Sequence, residues 1–594
     1  MFPGSRPYWP RRRRFVLSWR LSLALLVVPL LLVGVSVAYA VWFQDDRLEV
    51  LVVDRATGAP VVGATIDTGF GAFQTDADGT VRIPRESSGP WRVTAPDYDA
   101  VMFDPDLQAR RLRVLLRPNV VRGTVVRNGD GSPLTGVVVR AEVAGVTVVS
   151  ARTDEQGRYV LRGVPEGATL VFEHEDFAAV KLPLAPDQVV ADAALKRDVL
   201  RGMLRDSSGQ PVQGYVAAAA GWTQAGPDGQ YRLKGVAPGE RIVVKAPGYR
   251  VVEATVPESL TLDVTLEPLV VRTIYINAVV ASRPEALEER LQLVDRTELN
   301  AVVVDLKDST GQVYYDTSVA LAHEIGAVRP VLRPAELVQR LKARGIYTIA
   351  RIVVFEDPIL AEARPEWAIK DRTTGQAWRT WNGVAWVNAY RPEVWDYNIA
   401  LAREAASFGF DEIQLDYIRF PTDGPLQKAD YGVPHTAENR TAAIAEFLKR
   451  VHEALLPTRA SLGADIFGLT VWELSDSGIG QHLETIVQHV DYVCPMLYPS
   501  HFWAGSLGFE IPNDHPYEVM LWSLENGLSR VPEARKKLKF RPWLQDFSYG
   551  PGKPYGAEEV RAQIKAVYDA GLDSWMLWNA DNVYHEEALE PGAS

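Results

Sequence analysis

Residues 411–421 read Asp411-Glu412-Ile413-Gln414-Leu415-Asp416-Tyr417-Ile418-Arg419-Phe420-Pro421. Ile413, Leu415 and Tyr417 alternate with Glu412, Gln414 and Asp416, the period of two of a β-strand. If Asp416 points into a closed sheet, so do Gln414 and Glu412, and the apolar row faces covering helices. Helical patterns flank the stretch, over Pro392–Phe408 before it and Ala437–Leu456 after it.

The same grammar runs from 272 to 588. Strands are predicted at Thr273–Val279, Ala301–Leu306, Tyr347–Phe355, Glu412–Ile418, Ser461–Phe467, Tyr492–Leu497, Phe540–Phe547 and Ser574–Trp578. Four further helices are expected at Pro284–Arg296, Pro334–Ala343, Ile479–Gln488 and Gly556–Ala570. Proline near several helix starts, and Gly345, Gly409 and Gly571 after helix ends, fit terminal preferences. Eight strands with helical crossovers read as a (β/α)8 TIM barrel. A doubly wound sheet is the alternative, but neither GxGxxG nor GxxxxGK[ST] is present to support it. Asp357–Asn388 and Tyr498–Lys537 read as long loops walling the carboxyl end of the strands.

Upstream, residues 47–117, 118–196 and 197–268 repeat one another. Thr57-Gly58-Ala59-Pro60, Gly131-Ser132-Pro133-Leu134 and Ser208-Gly209-Gln210-Pro211 recur after an opening strand. Thr75-Asp76-Ala77-Asp78-Gly79, Thr153-Asp154-Glu155-Gln156-Gly157 and Gly226-Pro227-Asp228-Gly229 form a second signature. Asp and Ser beside Gly supply turns, and alternating Val, Thr, Tyr and Leu supply half-buried strands. Three small β-sandwiches follow. The segment resembles the carboxypeptidase-regulatory-like fold, most clearly in its second and third repeats, and the resemblance implies prealbumin-like or Ig-like sandwiches. Spacers are the expected role. The acidic turns match no twelve-position calcium loop.

The chain has 594 residues, 63 Lys+Arg against 75 Asp+Glu, a charge of -12 and 47% hydrophobic content. That length predicts about three to five domains, and the composition excludes a largely disordered chain. The acidic balance gives nucleic-acid binding no support. A single cysteine, Cys494, excludes an intrachain disulfide and a Cys-rich metal cluster, and reads as a buried small hydrophobe. Nine scattered histidines without HExxH predict no catalytic metal, and no organic cofactor is implied.

At the amino terminus, residues 1–20 form a basic tail and 21–43 an apolar span. Twenty-three residues at 1.5 Å rise would cover about 34 Å, enough for the hydrocarbon core. Arginines before the span and Asp45 and Asp46 after it place the bulk outside. Ala38-Tyr39-Ala40 also has the form of a signal-peptide cleavage site. The span's continuation through Trp42 and Phe43 favours the uncleaved membrane anchor. Either way the remainder is exported, single-pass with an extracytoplasmic bulk, or secreted if cut after Ala40.

In a barrel, residues at the carboxyl ends of strands form the site. These include Asp305 and Lys307, Asp416, Asp465, Tyr498 with His501, Asp546 and Trp578. Carboxylates meeting over one barrel are what glycoside hydrolysis requires: one protonates the leaving oxygen, the other attacks carbon or activates water. Trp378, Trp381, Trp386, Tyr498, Trp503 and Trp578 would offer platforms for sugar rings.

Residues 411–421 resemble the signature of a glycoside hydrolase barrel family once described only as a domain of unknown function. Asn300–Asp308, Ala464–Gly468, Asp491–Tyr498 and Arg541–Phe547 support the likeness, which covers 272–585. The resemblance implies a TIM barrel with glycosidase activity, and names no substrate. By it, Asp416 is nucleophile or general base. Asp465 is the first candidate acid, although many related barrels carry glutamate there. Asp546 is the second candidate, or a holder of substrate hydroxyls. Asp305 and Lys307 would position or tune the site, and Arg419 would hold Asp416 ionised. His501 joins the substrate-facing set.

The reading is an exported, membrane-tethered glycosidase acting on a polysaccharide or cell-envelope glycan. Its alternatives are a non-catalytic glycan-binding protein on an inactive barrel and a cell-envelope scaffold.

Overall fold

The computed structural model describes residues 46–87, 89–531 and 539–592. The basic tail and the 21–43 span lie outside the described residues. Among the described residues no helix is long and apolar enough to cross a membrane. The chain divides into two units, Met1–Arg197 and Asp198–Ser594.

The second unit contains the barrel. Its strands are β1 (Arg272–Ile276), β2 (Ala301–Lys307), β3 (Tyr347–Val353), β4 (Glu412–Asp416), β5 (Ser461–Phe467), β6 (Tyr492–Met496), β7 (Trp543–Gln545) and β8 (Trp575–Trp578). All neighbours are parallel, and β1 pairs with both β2 and β8, which closes the sheet. Every one of the eight expected strands is present. Apolar side chains on the outward rows of these strands meet the helices in one continuous core. The inward rows make a second cluster through Tyr275, Val303, Ile349, Cys494, Trp543 and Met576.

The barrel floor is polar as well as apolar. Glu412 accepts from Arg541 Nη1 at 2.7 Å and from the Tyr347 hydroxyl at 3.1 Å. A Cβ at Gly463 would stand 2.6 Å from Glu412 Oε1, so only glycine leaves room for this carboxylate inside the barrel. Glu412 is therefore a paired interior residue.

Helices Pro284–Arg296, Pro334–Lys342, Pro392–Ser407, Ala437–Leu455 and Ala557–Asp569 lie where the periodicity placed them. Gly409 follows its helix at φ +96, the left-handed conformation that a C-terminal cap needs. Two expectations are corrected. The Ile479–Gln488 helix shrinks to Leu483–Ile486, because Gly478 and Gly480 turn left-handed at φ 75 and 81. The supposed long loop 498–537 contains a fifteen-residue helix, Pro516–Arg530. Small residues on its buried face, Ser523 and Gly527, mask its apolar stripe. A Cβ on Gly527 would already stand 3.1 Å from Val471.

Each upstream repeat is a sandwich of a three-stranded and a four-stranded sheet. In the first, Leu48–Asp54 lies between antiparallel Thr80–Ile83 and parallel Arg111–Leu116. The second and third repeat this order around Val120–Arg127 and Val199–Asp206. The acidic turns are turn chemistry. Asp76 Oδ1 accepts from the backbone N–H groups of Asp78 and Thr80, and Asp154 Oδ1 from those of Gln156 and Arg158.

The third sandwich belongs with the barrel. Its buried Lys245 donates to Leu455 O at 2.7 Å and to Ala460 O, while the Gly248 N–H reaches the Tyr492 hydroxyl at 3.2 Å. Arg459 pairs with Glu253 at 2.9 Å. These contacts sit at the amino-terminal ends of β5 and β6, the face opposite a TIM-barrel site. Burial lowers the Lys245 pKa to about 8.

Candidate active site

The carboxyl ends of the strands open into a cleft of about 800 Å³. Leu415 of β4 pairs with Ala464 of β5, so the residues that follow them, Asp416 and Asp465, stand side by side. Adjacent strands lie about 4.8 Å apart. Both carboxylates line the cleft.

Their surroundings differ. Asp416 Oδ2 accepts from Arg351 Nε at 3.1 Å and from Nη2 at 2.5 Å. Arg351 Nη1 also holds Asp305 at 2.7 Å, and Tyr275 donates its hydroxyl to the other Asp305 oxygen. Burial works against the Arg351 charge, but Asp305 and Asp416 together hold the guanidinium firmly protonated. Its flat face lies over Trp578, 5.2 Å from the ring centre.

Among the described residues no salt bridge reaches Asp465, and Arg351 acts on it only through its field. Oδ1 accepts from the Trp543 indole N–H at 2.7 Å, and the buried Oδ2 has no hydrogen-bond partner. Burial first, and the neighbouring Asp416 charge second, push its pKa well above the usual carboxylate range. One oxygen is thus oriented and the other is left for a proton. Tyr417, immediately after Asp416, adopts φ 53, a rare conformation for a bulky residue and of the kind that clusters at functional sites.

The family comparison bears on this geometry. Residues 273–584, more than half the chain, match the family described as "Putative glycosyl hydrolase domain". The chain belongs to that family. Residues 120–196 match the carboxypeptidase regulatory-like domain. Among solved structures, the chain is similar to a hypothetical protein from Ruminiclostridium thermocellum, at 34% identity over 32% of this chain and 96% of that one, TM-score 0.29. It is also similar to the PgaB (BpsB) glycoside hydrolase domain from Bordetella bronchiseptica, at 15% identity over 53% and 95%, TM-score 0.41. A chitinase from Chromobacterium violaceum matches at 12% identity over 53% and 96%, TM-score 0.34. No curated protein matches.

Of the residues expected in the site, Asp416, Asp465, Arg419, Tyr498, His501, Trp503 and Trp578 line the cleft. The rest are placed elsewhere. Asp305 is not among the lining residues and is held by Arg351 Nη1. Lys307 is fully buried and paired with Asp357 at 2.9 Å. A register shift between Asp305 and Lys307 breaks the period of two, which turns the lysine out of the barrel. Asp546 gives both oxygens to His585, to Nδ1 at 2.6 Å and to the backbone N–H at 3.1 Å.

Trp378 is packed away, with its indole N–H on Pro425 O at 3.0 Å. Trp386 is equally buried and lies under the Arg419 guanidinium, and Trp381 projects into solvent at 74% exposure. Arg351, not Arg419, clamps Asp416. A lone charged residue in β3 was the available signal, and its register opposite Asp305 required the structure. Trp543 was likewise missed, although it faces inward two residues after Arg541.

Proposed function

We propose that the barrel hydrolyses O-glycosidic bonds of a glycan, with Asp465 as general acid and Asp416 as nucleophile. The observation that carries this is the side-by-side pair, one carboxylate clamped by Arg351 and the other buried, uncharged by its surroundings and hydrogen-bonded by Trp543. A pair of titratable groups whose environments push their proton affinities apart is the mark of an acid–base assignment.

In the first step Asp465 gives its proton to the glycosidic oxygen as the C1–O bond breaks, and an Asp416 oxygen bonds to C1. In the second, ionised Asp465 takes a proton from water, the water oxygen attacks C1, and Asp416 is released. Arg351 stays charged throughout and limits the cost of the negative charge on Asp416. Placement on adjacent strands suits the short carboxyl separation of retaining enzymes, about 5–5.5 Å. Trp503, exposed at the rim, and Trp578, on the cleft wall, supply sugar platforms. The cleft's size favours a polymer.

The amino-terminal pattern supports an extracytoplasmic location, with residues 21–43 as membrane anchor or the chain released after Ala40. The test is reducing-end release by the 47–594 fragment on a panel of bacterial and plant polysaccharides, with the anomer of the first product read by NMR. Retained configuration is expected. Inverted product would remove Asp416 from the nucleophile role.

A further inference from the structure

Arg419 lines the same cleft but does none of the work that Arg351 does. Its side chain is 7% exposed, and Nη1 donates to Phe420 O at 3.1 Å. No carboxylate pairs with it among the described residues. Asp416, which also lines the cleft, is committed to Arg351. Glu356 and Asp423 act on Arg419 only through their fields.

Three aromatic faces surround the guanidinium: Phe467 at 4.4 Å, Trp386 at 4.9 Å and Tyr417 at 5.0 Å to the ring centres. These faces exclude water on their sides and leave the cleft as the open direction. A guanidinium carries five donors in a planar fork, and a buried charge is costly unless paired. Sugar hydroxyls could take the hydrogen bonds, but they would leave the charge offset only in part by the aromatic faces. A carboxylate satisfies both, because its two oxygens match the fork.

We propose that Arg419 is a recognition site for a sugar carboxylate, so that the substrate of this cleft is an acidic glycan containing uronate-type residues. The inference deepens the glycosidase reading and rests on it for the presence of a sugar chain in the cleft.

The test is calorimetric titration of the full-length chain, in mild detergent, with three uronate-containing oligosaccharides (galacturonate, mannuronate and hyaluronate hexamers). Each is run beside its carboxyl-reduced form, and a sulfated neutral galactan is a further arm. At least one uronate probe should bind about tenfold or more tightly than its reduced form, in line with a charge-assisted pair. Arg419→Gln should bring that ratio close to one, and Arg419→Lys, which keeps the charge without the fork, should fall between. The wild-type ratio needs no variant and stands even if the substituted chains fold poorly.

Ratios near one for every pair, no binding of any uronate probe, preference for the sulfated galactan, or a ratio unchanged in Arg419→Gln would each overturn the proposal. Selective uronate binding without hydrolysis would refute the catalytic reading and leave Arg419's role standing. Hydrolysis confined to neutral glycans would do the reverse.

Discussion

Asp416 and Asp465 stand at the same level of neighbouring barrel strands, and among the described residues only Asp416 is paired with a cation. Arg351 grips the first with two hydrogen bonds, while the second receives a neutral indole N–H and keeps a buried oxygen free. Two carboxyls of like residue type thus sit in different surroundings, and those of Asp465 favour its protonated form.

The consequence for pH is direct. With its pKa raised by burial and by Asp416, Asp465 keeps its proton into a range where ordinary carboxylates have lost theirs. Activity should fall as pH rises through that raised value, and Asp465→Asn should lower kcat by about 10²- to 10⁴-fold while removing the limb. Stability carries the same sign. An acid whose folded pKa is raised loses stability as pH climbs from the unfolded value, about 3.9, towards the folded one. Asp465→Asn should therefore gain on the parent in urea as pH climbs from the unfolded value; a stability difference that does not grow with pH would contradict the assignment.

Arg351→Met should be severe. It leaves Asp305 and Asp416 buried without their shared cation, a change that costs about 3–5 kcal/mol when one partner of a buried pair is removed. Burial already pushes the Asp305 pKa up against the pull of Arg351, so without the guanidinium Asp305 takes up a proton more readily, and the loss should be smaller at pH 5 than at pH 7. Chemical denaturation at the two values reads this, and a pH-independent loss would show that packing, not charge, is the larger part.

Two tryptophans should separate. Trp378 is 1% exposed and Trp503 is 65% exposed at the rim of the cleft. Trp378→Ala should cost about 3–5 kcal/mol of stability. Trp503→Ala should leave the melting temperature within a degree or two and weaken binding of long oligosaccharides more than short ones. Equal effects on both properties in the two variants would contradict these placements.

The third sandwich should behave as part of the barrel unit. A fragment beginning at residue 272 loses Lys245 from the carbonyls of Leu455 and Ala460, and Gly248 from Tyr492. It should melt below a fragment beginning at 198. Identical melting would mean that the seam contributes nothing.

Much of this was legible in the residues. The alternation in 411–421 and seven further short apolar runs between helical patterns were enough for the barrel, because parallel strands covered on both faces read as near-continuous hydrophobic runs. The site was legible in part. Asp416 and Asp465 follow from their positions at strand ends. Lys307 misled because a bulge breaks the alternation that would have aimed it inward, and no single strand announces a bulge. Trp378 and Trp386 misled because an aromatic run reads alike whether it faces a ligand or a core. The missed helix at Pro516–Arg530 packs through Ser523 and Gly527, which carry little apolar signal. Arg351's role depends on Asp305 and Asp416 flanking it from two other strands, a relation that exists only once the barrel closes.

The most direct measurement is reducing-end release from the best polysaccharide of a broad panel by the parent chain and by Asp416→Asn, with circular dichroism and melting recorded for both. The account predicts release by the parent and a loss of at least about 10³-fold in the variant with the fold intact. Equal release by the two would contradict it.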